Sequence, residues 1–268
     1  MFSFSKMQGT GNDFVVINCM ENQFKYSLPV ISEYLCNRHY GVGADGVIFL
    51  DKSEEQDFKM RIFNSDGTEA EMCGNGIRCL AKYVYENGLT DKTEFTVETL
   101  AGAKKIELEL EEKRLAYVKV NMGNPEVEHI QYMIEIEDKA YYVYPVSMGN
   151  PHAVCFVKDV ENFDVAKIGS ILENYKYFPN KTNVEFVQIL DEENIRVRVW
   201  ERGVGETNGC GTGACASCMI AIQEKYTKND VTVNLKGGKL QIHYDKEKNE
   251  MILKGEAEKV FDGKIERM

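Results

Sequence analysis

The chain has 268 residues, 43% of them hydrophobic and 28% charged, with a formal net charge of −11. This is an ordinary composition for a protein that buries cores. An acidic surplus with no basic cluster argues against nucleic acid or an anionic membrane surface as partner, and no run reaches the ~18 apolar residues of a membrane span. The opening stretch "MFSFSKMQGTGNDF" lacks both a basic n-region and an apolar h-region, so the expected location is cytoplasmic.

Taken in chain order, strand-like runs dominate: "FSFSKM", "DFVVIN", "GVIFLD", "FKMRIFN", "EFTVET", "KKIELEL", "AYVKVN", "AYYVYPVS", "HAVCFV", "VEFVQI", "IRVRVW", "VTVNLK", "LQIHY" and "EMILK". Several alternate apolar and polar residues, as half-buried strands do. Helical patterns are predicted over 28–37, 77–86, 164–175 and 214–225. The second has Ile77, Leu80, Ala81, Val84 and Tyr85 at helical spacing, and the third has Asp164 at its N-cap. The fourth is apolar almost all round, which predicts a buried helix.

The organisation shows in an internal match. "RIFNSDGTEAEMCGNG" (61–76) lies over "RVWERGVGETNGCGTG" (198–213) at an offset of 137 residues. Arg61 meets Arg198, Asn64 meets Glu201, Glu69 meets Glu206 and Cys73-Gly74 meets Cys210-Gly211. The same offset places "GVIF" (46–49) over "NVEF" (183–186), and 138 places Gly11-Asn12 over Gly149-Asn150. The reading is a duplicated α/β fold of the α+β type. Two pseudo-symmetric, mixed, barrel-like halves each surround one buried helix, with an active site in the cleft between them. Residues 1–115, joined by 259–268, form one half and 116–258 the other. The acidic run "ELELEEKR" before the boundary reads as a solvated hairpin.

Each matched helix begins just after a cysteine. A helix N-terminus carries unsatisfied N–H groups and partial positive charge, which favours thiolate. Gly74, Gly76, Gly211 and Gly213 let a ligand approach the backbone closely. A carboxylate resting on the amides of Gly74-Asn75 and Gly211-Thr212 would put its α-carbon between Cys73 and Cys210. One thiolate would then remove the α-proton while the opposing thiol delivers another, inverting the centre. The two thiols need opposite protonation states, so neighbours must bias them apart. Glu201, Arg202 and His152 are the available neighbours. Asn12, Asn64, Asn150 and Asn183 stand at strand ends or turns, suited to holding ammonium and carboxylate groups.

In combination, "GTGNDF", "FNSDGTEAEMCGNGIRC", "MGNPHAV", "NVEFV" and "WERGVGETNGCGTGACA" resemble the diaminopimelate epimerase family across essentially the whole chain. The resemblance implies cofactor-independent interconversion of LL- and meso-diaminopimelate, in lysine and peptidoglycan precursor synthesis, by an enzyme that is commonly a homodimer. It implies Cys73 and Cys210 as acid–base residues and His152 and Glu201 as the groups that tune them. Asn12, Asn64, Asn150, Asn183, Glu201 and Arg202, with Gly74, Asn75, Gly211 and Thr212, would bind substrate. Two positions depart from the pattern. Gly46 stands where some relatives carry a glutamine that touches substrate, and Asn208-Gly209 replaces an apolar residue and alanine before Cys210.

The same residues admit other readings. A racemase of the same fold could act on proline, hydroxyproline or histidine, with Arg202 as the discriminating residue. Cys210, Cys215 and Cys218 have the Cys-x4-Cys-x2-Cys spacing of a plant-type iron–sulfur site, though Cys215 and Cys218 suit the core of an apolar helix. No paired Cys-x2-Cys hooks or His pair indicate zinc. Cys79 reads as core, and Cys19, Cys36 and Cys155 carry no motif.

Overall fold

The computed structural model describes residues 2–22, 24–112 and 114–266. Met1, Lys113 of the acidic run and the last two residues of the 259–268 segment lie outside the described residues. The chain divides into two compact units, Met1–Val120 with Gly255–Met268, and Asn121–Lys254.

In the first unit, β1 (Phe2–Gly9) and β2 (Asn12–Asn18) form an antiparallel hairpin. Helix α1 (Leu28–Cys36) then crosses to β3 (Gly46–Asp51), which runs parallel to β2. β4 (Phe58–Asn64) returns antiparallel and ends in a turn and the short β5 (Glu69–Ala70). Helix α2 (Gly74–Glu86) follows, and then β6 (Glu94–Thr99), parallel to β4, β7 (Gly102–Glu111) and β8 (Arg114–Gly123) in a meander.

The second unit repeats this order. After β9 (Glu126–Val127) and β10 (Tyr132–Ile136), β11 (Lys139–Ser147) and β12 (Pro151–Phe156) are antiparallel, and α3 (Val165–Glu173) crosses to the parallel β13 (Asn183–Asp191). β14 (Asn194–Glu201) and β15 (Gly205–Thr207) lead into α4 (Gly211–Gln223). β16 (Asp230–Leu235), parallel to β14, β17 (Gly238–Asp245) and β18 (Glu250–Gly255) complete the meander. β19 (Glu258–Ile265) belongs to the first unit, where it pairs antiparallel with β1 from Phe2↔Ile265 to Gln8↔Glu258.

The central strands are buried on both faces. Val15, Ile17, Val47 and Phe49 join a cluster with Ile31 and Leu35 of α1. Because strand side chains alternate, Ile48 points the opposite way, and a Cβ added to Gly76 of α2 would lie 3.2 Å from its Cδ1. The second unit does the same. Val184 and Phe186 pack with Ile168 and Leu172 of α3, which turns Glu185 toward α4. The all-round apolar pattern of α4 is explained by this burial: Ala214, Cys215, Ala216, Cys218, Ile220 and Ala221 are at most 1% exposed.

The predicted strands and helices are present, with ends shifted by a few residues. The helix expected from Ile77 starts at Gly74, and the one expected from Ala214 starts at Gly211. Five strands were not anticipated. β5, β9 and β15 are too short for periodicity to register. β10 alternates over only five residues, and β19 contains Asp262-Gly263, which reads as a turn. Gly263 is needed there because a Cβ would stand 2.4 Å from the Phe4 ring.

Helix and strand approach closely in the second unit at Gly169 of α3, where a Cβ would lie 2.7 Å from Cβ and Cγ of Trp200. Those atoms are near the backbone and cannot swing aside. Gly169→Ala is therefore expected to lower stability by about 1–3 kcal/mol, the usual cost of overpacking. Urea unfolding followed by the fluorescence of Trp200, the single tryptophan, measures this. An unchanged midpoint would contradict the packing described.

Candidate active site

Both α2 and α4 are capped by sulfur. Cys73 has extended backbone angles, and its Sγ accepts from the N–H of Gly76 at 3.4 Å. Cys210 does the same with Gly213, also at 3.4 Å. The third helical N–H is thus satisfied by the thiol. Gly74 and Asn75, and likewise Gly211 and Thr212, hold the two preceding positions, where a helix supplies no acceptor of its own. The matched ion pairs beneath these starts are also duplicated: Arg61 to Glu69 and Arg198 to Glu206, each 2.7 Å.

In the first unit, Asn12 and Asn75 gather at Cys73. The Cys73 thiol is directed at Asn12 Oδ1 at 3.8 Å, and Asn75 Nδ2 donates to the same oxygen at 3.5 Å. Asn75 is held by Arg78, which sequence reading passed over. Arg78 is fully buried. It donates to Asn75 Oδ1 (3.0 Å), Gly74 O (2.9 Å), Thr10 Oγ1 (2.6 Å) and Glu256 O (3.1 Å). A charged residue inside the apolar stripe of α2 was the available signal. On its other side, Asn12 Nδ2 donates to Asp45 Oδ2 at 2.6 Å, and Arg38 bridges Asp45 to Asp13. Asn64 is exposed and donates to Thr68 Oγ1 at 3.0 Å.

Gly46 has a steric reason. It pairs with Asn64 across β3 and β4, and an added Cβ would lie 2.8 Å from Phe63 O. A glutamine there requires the two strands to shift.

In the second unit, Cys210 Sγ is 3.2 Å from Thr212 Oγ1. Asn150 Nδ2 donates to that hydroxyl at 3.4 Å, and Asn150 Oδ1 lies 3.0 Å from His152 Nε2. The other ring nitrogen, Nδ1, is 2.7 Å from Glu185 Oε1, and both side chains are wholly buried. Glu185 is a second group that sequence reading did not single out, although it sits inside the matched block "NVEF". Asn183 acts as a strut, donating to Pro151 O at 2.9 Å and accepting from the Arg202 N–H at 3.0 Å. Arg202 is exposed and donates to Asn180 O at 3.3 Å. Glu201 accepts from the Thr207 hydroxyl. The turn carrying Glu201 and Arg202 is also held by Glu173 of α3, which accepts from Gly203 N at 3.0 Å and from Trp200 Nε1 at 2.7 Å.

Burial pushes the Cys210 thiol well above the ordinary cysteine range. The negative charges of Glu201 and Glu185 push the same way, and the bonds from Thr212 and Gly213 only partly offset them. Cys210 is therefore a proton-bearing thiol at neutral pH. Cys215 and Cys218 are fully buried within α4. Among the described residues no group of three or more His, Cys, Asp or Glu side chains is gathered as metal ligands. All eight cysteines are free thiols.

A sequence model described as "Diaminopimelate epimerase" matches residues 4–128 and 144–260. Two curated relatives of that name are 46% identical: one from Agathobacter rectalis, over 98% of this chain and 99% of its own, and one from Moorella thermoacetica, over 97% and 98%. Among solved structures, a probable proline racemase from Agrobacterium radiobacter aligns with a TM-score of 0.77 at 13% identity, over 99% of this chain and 93% of its own. At that identity the likeness is one of fold.

Two measurements test this electrostatic description. Alkylation of Cys210 by iodoacetamide, read by peptide mass spectrometry, should rise only above the pH at which a free cysteine reacts; a midpoint at or below about 8.5 would refute the shift. Asp13 is held at about 2, below its usual 3.8. Burial opposes this, but bonds from Arg38 and Lys6 and the Lys6 charge prevail. A depressed carboxylate stabilises the fold above its unfolded value and loses that contribution as pH falls through its folded value. The urea midpoints of wild type and Asp13→Asn should thus differ most above pH ~4 and converge toward pH ~2. A gap that stayed constant with pH would contradict this.

Proposed function

The chain belongs to the diaminopimelate epimerase family, an isomerase family, and from that premise we propose that Cys73 and Cys210 invert the α-carbon of diaminopimelate between its LL and meso forms. The observation that carries the proposal is the duplicated helix start, with a thiol at each N-cap and glycine at the third helical position.

The substrate carboxylate rests on the first-turn amides of Gly74, Asn75, Gly211 and Thr212, where helix partial charge favours an anion. The thiol that has lost its proton takes the α-hydrogen, and the other delivers its own to the opposite face. Burial and the carboxylates of Glu201 and Glu185 keep the proton on Cys210 in the resting state, so Cys210 is the donor when the cycle begins with Cys73 as base. Asn12, Asn64, Asn75, Asn150 and Asn183 hold the amino and carboxylate groups, and Arg202 faces the distal carboxylate. A guanidinium suits that second carboxylate, which proline and histidine lack.

No cofactor enters this scheme, since both proton transfers use side chains of the chain itself. The enzyme serves lysine and peptidoglycan precursor synthesis, as the family does. We read it as a cytoplasmic homodimer. Eight free thiols suit a reducing compartment, and no helix among the described residues is long and apolar enough to cross a membrane.

Cys73→Ala and Cys210→Ala should each abolish epimerisation while leaving the circular dichroism spectrum unchanged. Solvent-deuterium uptake at the α-carbon of LL- and meso-diaminopimelate, compared with proline, hydroxyproline and histidine, reads both chemistry and substrate. Wild-type turnover in either variant, or preference for a monocarboxylate, would overturn the reading.

A further inference from the structure

Two neighbouring matched core positions differ in chemistry between the units. β2 and β3 are parallel with Phe14 opposite Gly46, and β12 and β13 are parallel with His152 opposite Asn183. Gly46 and Asn183 are repeat equivalents, so Phe14 corresponds to His152 and Ile48 to Glu185. Where the first unit packs a phenyl ring and an isoleucine against α2, the second puts an imidazole and a carboxyl against α4.

Burying a carboxyl is costly unless all its hydrogen-bonding capacity is used. Here it is not. Glu185 Oε1 meets His152 Nδ1 at 2.7 Å, while Glu185 Oε2 is buried with no hydrogen-bond partner. The carboxyl also takes up space in the first turn of α4, where a Cβ on Gly213 would come within 2.6 Å of Oε1. An apolar residue, as in the other unit, would satisfy the packing. A carboxylate that leaves one oxygen bare is therefore not explained by stability.

We infer that Glu185 is a positioning residue: it accepts the Nδ1–H of His152 and so fixes the tautomer and rotation of the ring, leaving Nε2 to accept from the Asn150 amide, whose oxygen and nitrogen exchange places by a half-turn. From Asn150 the chain of contacts continues through Thr212 Oγ1 to the Cys210 sulfur. Glu185 thus orders the polar groups that lead to the thiol without touching substrate. This deepens the proposed function and rests on it.

The test is Glu185→Gln, which keeps size and shape and can donate to Nδ1. In wild type, the ring 15N shifts of His152 should show a protonated Nδ1. In the variant the proton should move from Nδ1 toward Nε2. kcat should fall by at least about tenfold, as wrong-tautomer substitutions cause elsewhere, with KM within about twofold, the pattern of a lost transition-state contribution. A wild-type Nδ1 without a proton overturns the inference, and this arm stands even should the variant fail to fold. In a folded variant, an unchanged tautomer overturns it, as does a changed tautomer with unaltered kcat. A wild-type protein without epimerase activity would instead remove the proposed function, leaving the nitrogen spectra to be judged separately.

Discussion

The sulfur-capped helix start is the constraint from which the rest of the site follows. Helices are ordinarily capped by oxygen from serine, threonine, aspartate or asparagine. Here a weaker acceptor takes that place in both units, at the same 3.4 Å from the same helical position. Capping fixes the cysteine backbone in an extended conformation and the sulfur over the first turn. It also requires glycine at the third position, because the helix start is pressed onto the strand beneath it: Ile62 and Ile48 under Gly76, Glu185 under Gly213. The parallel strand pairs, the crossing helices and the duplicated arginine–glutamate bridges all serve to bring that start against the sheet.

Duplication supplies two similar thiols, and divergence makes them unequal. The positions that carry Glu201 and Glu185 in the second unit are Asn64 and Ile48 in the first, neither of which ionises. Two carboxylates bear on Cys210, whereas the equivalent positions in the first unit are neutral. The first unit surrounds its cysteine with amides, anchored by a buried guanidinium on one side and an exposed carboxylate–arginine network on the other. The proposed mechanism, which needs one sulfur with a proton and one without, would draw on this difference.

Much of this could be read in the sequence because the determinants are local. The repeat rests on short blocks with fixed spacing, and the cysteines, their glycines and the flanking strands all lie within them. What escaped is set by tertiary contact. Arg78 looks like one polar residue in an amphipathic helix until its four acceptors come from three separate segments. Glu185 alternates with Val184 and Phe186 as an outward-facing residue of a half-buried strand would, and only the helix on its far side shows that it points inward. Asn183, expected at a ligand, spends its amide on joining two loops, though it retains bonding capacity. β19 escaped because its register comes from β1 rather than from its own pattern.

That last pairing bears on how the protein is made. Phe2 lies opposite Ile265, so β1, which has β2 beside it early on one edge, meets its other partner only after the whole second unit has been translated. The unit spanning Asn121–Lys254 has all its strands in one continuous stretch and can close while synthesis continues. The first unit must wait with an open sheet edge, a non-local pairing that slows folding and leaves backbone exposed to other chains. Birth order and completion order are thus reversed: the unit whose strands are translated earlier is the later of the two to be finished.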